Sequence, residues 1–350
     1  MWLIALRDLQ HRRRQVIVAI LGSSLVFAMA LVITGLGGGF RAEARKTVGA
    51  IGADGLVVKA QSGGPFTSFS GIPEATVAEV AALPGVTRAD PILAANQPLV
   101  VGGGHPKVDT HLIGFRPHGL GAPHVIHGKV PDAAGEATAD VRAKLALGST
   151  VVAGGRQLTI VGITRGLTYD AGIPNVYATV ADAQPVLFGD AKAVNAVAIT
   201  GHPSSLPPGL AFMSNRDVQQ DILRRLSNAL PAVDNSRTFL WVVAAVIIGT
   251  VTYLSALERL RDFAVIKAVG GSSRQIYYGL AVQAVIVAVC AAGLAVLIEK
   301  LLANIIPMPT EVPTSSLLLL PAVAVGVGLL ASLSGIQQAI RVDPALAFGG

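Results

Sequence analysis

Four stretches of this chain, residues 15–40, 238–257, 275–298 and 312–340, contain no Asp, Glu, Lys, Arg or His. Each reaches the roughly 20 residues needed to cross a hydrocarbon core about 30 Å thick. A backbone in lipid must satisfy its own hydrogen bonds, so uncharged runs of this length are expected to form transmembrane helices. Composition agrees, since hydrophobic residues make up 52% of the 350 positions and charged residues only 14%. The expected fold class is therefore an α-helical membrane protein with four transmembrane helices.

The first run is too long for a cleaved leader. Its apolar core covers 16–36, against the roughly 7–15 residues of a signal peptide, so a retained anchor is expected despite the preceding Arg12-Arg13-Arg14. Lys and Arg beside spans are held on the cytoplasmic side. Arg7, Arg12, Arg13 and Arg14 precede the first span, and Arg259, Arg261, Lys267 and Arg274 lie between the second and third, whereas loop 299–311 carries only Lys300. Both termini are thus expected in the cytoplasm, with 41–237 and 299–311 outside. The net charge of +6 follows from this topology and from anionic headgroups, not from nucleic acid. The lone Cys290 falls within the third span, where it excludes an intrachain disulfide or a thiol metal site and reads as a small packing residue.

Residues 1–14, with Trp2, Leu6 and Leu9 along one side, read as an amphipathic helix on the cytoplasmic membrane surface. Residues 41–237 are far too many for a loop and must form an extracytoplasmic domain between the first two spans. "DGLVVKA", "THLIGF", "STVVA", "QLTIVGIT" and "NAVAIT" have strand composition, while "PEATVAEVAAL" and "NRDVQQDILRRLSNAL" have helical spacing, so the domain is mixed α/β.

Chemistry is conspicuous by what the sequence lacks. No G-x-x-x-x-G-K-[ST] phosphate loop occurs, so the chain has no nucleotide site of that kind. "GLGGGF" and "VVGGGHPK" are expected to be flexible turns, at a membrane exit and between strands. His105, His111, His118, His124 and His127 crowd one stretch, but without paired acidic ligands and amid Pro and Gly they read as solvated loop residues, not a metal site. The spans carry no ionisable group in their interiors, which argues against a proton- or ion-coupled transporter.

One segment stands out. Residues 258–274, between the second and third spans, interleave charges with Phe263, Val265, Ile266 and Val269. Gly270-Gly271 form a helix stop, and Ser272 and Gln275 form a candidate capping box for the third span. Such a segment is built to touch another protein.

Here the sequence resembles a known family. "ALERLRDFAVIKAVGGSSRQI" is similar to the E-R-x-R-[DE]-[FI]-[AG]-[VI]-x-[KR]-A-[IVL]-G-[AG]-[ST] hairpin of FtsX-like permeases, the membrane subunits of MacB-type (type VII) ABC systems, near the DevC branch. "HGKVPDAAGEATADVRAKLALGSTVVAGGRQLTIVGIT" and the tail "RVDPALAFGG" resemble further segments of that family, although Ala137-Thr138-Ala139 stands where a β-branched strand is usual and Lys129 replaces a common Arg. The resemblance implies a non-enzymatic permease in the bacterial cytoplasmic membrane. Its cytoplasmic ABC ATPase, present in two copies, would bind ATP-Mg, and this chain would hold no cofactor or metal. It would pair with a second permease subunit, as a homodimer. Glu258, Arg259, Arg261, Asp262, Phe263, Lys267, Gly270, Gly271 and Ser272 would form the ATPase-coupling interface, and residues 341–350 a cytoplasmic tail. The implied function is mechanotransmission to the extracytoplasmic domain, driving export or extraction of a lipid, lipoprotein, peptide or drug. The alternative is a non-transport relay that activates a cell-wall enzyme or another envelope partner, such as a lipoprotein, adaptor or hydrolase.

Overall fold

A computed structural model describes residues 13–102, 107–227, 229–258, 265, 270, 272–303, 305, 308, 310–319, 322–326, 329 and 330. The chain divides into two compact units: 1–38 with 229–350, and 39–228. The helices are α1 (Arg13–Gly49), α2 (Thr76–Ala81), α3 (Val180–Phe188), α4 (Asn215–Arg224), α5 (Ala229–Leu257), α6 (Ser273–Ala303) and the shorter α7 (Thr314–Gly326). The expected surface helix over 1–14 and the tail 341–350 lie outside the described residues, apart from Arg13 and Arg14, which begin α1.

Among the described residues three helical segments are long and apolar enough to cross a membrane: Arg13–Gly49, Leu230–Ile248 and Ala281–Ala303. Their shared interior is built mainly of small side chains. Ala28, Ala244, Ala288, Ala291, Ala292, Ala295 and Ala324 pack with Phe27, Leu31 and Ile248, which lets helices approach closely where lipid offers no hydrophobic drive for association. Val18, Leu21, Leu25, Val246, Leu297 and Leu301 are exposed on the outside, as lipid contact requires. Cys290 is exposed too, so it is not the packing residue the sequence suggested.

The glycine-rich run "GLGGGF" is not a turn. It lies inside α1, which continues through it to Gly49. The glycines instead clear a path for the loop before α7: the Glu311 amide donates to the Gly35 carbonyl at 2.9 Å, and a Cβ on Gly38 would sit 2.1 Å from the Glu311 carbonyl oxygen. Close backbone approach, not chain flexibility, is the use of glycine here.

The second unit is built on a sheet. Its strands are β1 (Gly55–Lys59), β2 (Ile72–Pro73), β3 (Val86–Asn96), β4 (Leu99–Val101), β5 (Lys107–Val108), β6 (His111–Phe115), β7 (His127–Gly128), β8 (Glu136–Asp140), β9 (Thr150–Ala153), β10 (Arg156–Thr164), β11 (Thr168–Tyr169), β12 (Ile173–Thr179), β13 (Ala193–Val194), β14 (Ala196–Gly201) and β15 (Leu210–Ser214). The main path runs β15-β1-β14-β3-β6-β12-β8-β10-β9-β4-β5. It is antiparallel apart from the β6/β12 and β8/β10 pairs. Strand alternation sends Leu56, Val58, Ile92, Ala94, Ala196 and Ala198 to one face, where they meet Ala44 and Val48 of α1 and Val218 and Ile222 of α4. Val57, Leu93, Val197 and Ile199 face the other side against Val77 and Val80 of α2. Helices thus cover both faces of a mixed α/β domain. All five expected strand runs form strands, and Ala137-Thr138-Ala139 lies within β8. The two expected helices are present in shortened form, as α2 and α4, and α4 begins at a capping box between Ser214 and Asp217.

Candidate functional site

Of the residues expected to form the coupling interface, Glu258, Gly270 and Ser272 are described, whereas Arg259, Arg261, Asp262, Phe263, Lys267 and Gly271 lie outside the described residues. Glu258 closes α5, its amide bonding the Leu254 carbonyl at 3.1 Å. Its carboxylate accepts from Gln15 Nε2 at 3.0 and 3.3 Å, which ties the start of the hairpin to the start of α1. Gly270 has φ +90, the left-handed conformation that glycine adopts at a helix stop, and no atom of the described residues would crowd a Cβ there. Ser272 is exposed and stands immediately before α6, at the position of an N-cap.

A second arrangement, which sequence reasoning missed, joins the end of α1 to the sheet. Glu43 is buried, and its carboxylate accepts from Thr168 Oγ1 at 2.5 Å, the Gly172 amide at 2.9 Å and the Ala171 amide at 3.1 Å. One turn along, Thr47 Oγ1 donates to the Thr168 carbonyl at 2.8 Å. The clamped turn between β11 and β12 is strained: Asp170, Ala171 and Gly172 have φ of 49, 68 and 103, a region in which Ala is disfavoured by its own Cβ. A carboxylate that receives two successive amides stabilises this unusual conformation. The α1 helix is therefore hydrogen-bonded, through Glu43 and Thr47, to β11 and the turn that follows it. The only cue in the sequence is an isolated Glu just past an apolar run, and its partners lie more than 120 positions away.

The histidines do not behave as one group. His118, His124 and His127 are exposed, and His105 lies outside the described residues. His111, expected in a solvated loop, is instead fully buried at the start of β6. Its inclusion in the strand-like run "THLIGF" was the available signal: a strand residue in a sheet covered on both faces has no solvent side. Its Nδ1 lies 2.8 Å from Asn96 Oδ1, while Nε2 meets no hydrogen-bond partner among the described residues. Burial, reinforced by the Arg225 guanidinium, pushes the imidazole down to about 3, so the ring is neutral at physiological pH. Among the described residues no group of three His, Cys, Asp or Glu gathers as a metal site.

Comparison with known proteins gives a consistent picture. The family model described as FtsX-like permease C-terminal matches residues 238–344. An uncharacterized ABC transporter permease of Mycobacterium bovis is 42% identical over 346 residues, covering 99% of each chain. Another, from Mycobacterium tuberculosis, is 40% identical over the same length and coverage. Among solved structures, the periplasmic region of MacB from Actinobacillus actinomycetemcomitans aligns with 51% of this chain and 96% of its own, at 12% identity and a TM-score of 0.36.

Proposed function

Because this chain belongs to the FtsX-like permeases of ABC transporters, we propose that it converts ATP hydrolysis by a partner ATPase into movement of its α/β domain, to export or extract an amphipathic molecule. The reading takes the membrane unit as four spans in the cytoplasmic membrane, with both termini inside and the α/β domain outside. Two permease copies pair with two ATPases, and ATP-Mg binds only in the ATPases. Residues 258–274 form the coupling hairpin that seats on the ATPase, with Glu258, Arg259, Arg261, Asp262, Phe263, Lys267, Gly270, Gly271 and Ser272 at the contact. Glu43 and Thr47 then carry displacement of α1 into the β11–β12 turn.

End-to-end identity of 42% to an ABC transporter permease carries the assignment, and the left-handed Gly270 beside Ser272 supports the hairpin as a rigid corner. The test is co-purification of the ATPase with hairpin variants, together with ATPase rates in lipid nanodiscs. Ala264→Pro should abolish stimulation, because proline removes a helical hydrogen bond and costs about 3 kcal/mol or more. Gly270→Val should weaken it, because a β-branched residue resists positive φ. Wild-type assembly and stimulation by both variants would remove the coupling role. Stimulation without any movement of amphipathic cargo would favour the envelope-enzyme relay.

A further inference from the structure

A cavity of about 310 Å³ opens within the helical unit, between α1, α5 and α7. Its wall is ordered by polarity. Thr34 of α1, Arg237 and Thr238 of α5 and Ser316 of α7 line one end. Leu31, Trp241, Leu319 and Val323, one or two turns along the same three helices, line the other.

The directions of the helices bring the four polar residues to one level. Gln15, near the start of α1, bonds Glu258, at the end of α5, so these two helices run antiparallel. The Glu311 amide, just before α7, bonds the Gly35 carbonyl, and farther along α7 Val323 and Ala324 pack in the cluster that holds Phe27 and Leu31, so α7 runs back along α1. From Gln15 to Thr34, and from Glu258 back to Thr238, the helices rise roughly 28 and 30 Å at 1.5 Å per residue. That rise matches a hydrocarbon core about 30 Å thick. With the Gln15–Glu258 bond at one membrane interface, the polar end of the cavity lies at the other. Trp241, one turn deeper than Arg237, suits this level, because indole rings concentrate where apolar chains meet headgroups.

Arg237 is the only charged residue on the cavity wall among the described residues. Its side chain is 39% exposed, and its one ionic contact among those residues is Asp234, 3.5 Å away and off the wall. A guanidinium has five N–H donors, more than this contact uses. Thr34 and Thr238 give their hydroxyl protons to the Ala30 and Asp234 carbonyls, at 2.7 and 3.0 Å, so charged donation from the wall falls to Arg237. No described carboxylate lines the cavity to receive an ammonium headgroup. At roughly 30 Å³ for a group the size of a water molecule, the space takes about ten such groups, a headgroup and the start of one chain. Leu318 and Leu319 are exposed, so that chain can continue along α7 into the bilayer.

We propose that this cavity binds an anionic phospholipid, with its phosphate on Arg237 and one acyl chain descending over Leu31, Trp241, Leu319 and Val323. The proposal needs these helices to cross a bilayer and does not depend on the export reading. The bound lipid bridges three helices one turn from the Gly35–Glu311 contact, and so joins bilayer composition to the packing of α7 on α1.

The sequence supplies a probe, since Trp2 and Trp241 are its two tryptophans. The full chain carrying Trp2→Phe is placed in phosphatidylcholine nanodiscs that contain a small fraction of phosphatidylglycerol or phosphatidylcholine with dibrominated acyl chains, and Trp241 fluorescence is read. Brominated phosphatidylglycerol should quench Trp241 at about tenfold lower mole fraction than brominated phosphatidylcholine, and unlabelled phosphatidylglycerol should reverse the quenching. Arg237→Gln should remove the preference and Arg237→Lys should keep most of it. Lys300→Gln, which removes an exposed cation off the cavity wall, should leave it intact. Equal quenching by the two lipids overturns the site, as does an equal loss of preference in Lys300→Gln, which would mean general attraction to the protein's charge. Absence of quenching by either lipid also overturns it, and is the result expected if a second copy of the chain covers this face.

Discussion

Glu43 is a single side chain on which a strained turn depends. Replacing it with Ala would leave the Ala171 and Gly172 amides and the Thr168 hydroxyl without their buried acceptor, at a cost of about 2–4 kcal/mol. Hydrogen exchange across 168–173 should accelerate strongly in Glu43→Ala, and less in Glu43→Gln, which keeps one oxygen acceptor. His111 makes a different prediction. An unfolded imidazole takes up a proton near pH 6.5, whereas folding holds His111 down to about 3. Between those values the unfolded state binds the extra proton, so stability is complete above about pH 6.5 and falls as the pH drops toward 3. The loss should reach about 2 kcal/mol by pH 5. Thermal unfolding of the full chain from pH 7 to 5 should show it, and His111→Gln should remove that part of the slope. Neither residue was legible as functional in the sequence. Glu43 draws its role from partners met only after folding, and His111 sits in a histidine-rich stretch whose other described members are exposed, so local composition pointed away from burial.

Glycine and proline account for what was hard to see at the level of elements. Gly35 and Gly38 occupy the same side of α1, three residues apart, and admit the backbone of 310–312, so a run that reads as a turn is helix. Gly38→Ala should therefore destabilise the helical unit by about 1–3 kcal/mol, since the obstructing atom is backbone and cannot rotate away. Gly22, on the same helix, has no atom of the described residues within 4 Å of a Cβ, and Gly22→Ala should be neutral or stabilising by up to about 1 kcal/mol. Melting temperatures in detergent distinguish the two. Three of the four apolar runs and the five β-branched runs were legible because their signal is local in the sequence. The strands β3 and β12 were not, because each contains proline. Pro91 is tolerated because its part of β3 pairs only with β14, and pairing with β6 begins at Leu93.

The molecule as a whole joins a lipid-facing helical unit to an α/β domain whose hydrophobic core includes Ala44 and Val48, residues of the helix that begins as the first span. A fragment of residues 41–237 should fold in isolation. One of residues 50–237, lacking Glu43, Ala44, Thr47 and Val48, should melt markedly lower or remain partly unfolded by circular dichroism. Equal stability of the two would mean that the end of α1 is only an attached linker. The clamp also has a consequence for biosynthesis. Glu43 and Thr168 are separated by 125 positions. At about 5–20 residues per second, roughly 6–25 s pass between synthesis of the carboxylate and arrival of the turn that satisfies it. Strand β1 likewise waits for β14 and β15, near the end of the domain. During that interval the first helix can already be anchored while its far end presents bare apolar and acidic groups, which makes the newborn chain, more than the finished permease, the form most in need of chaperone protection.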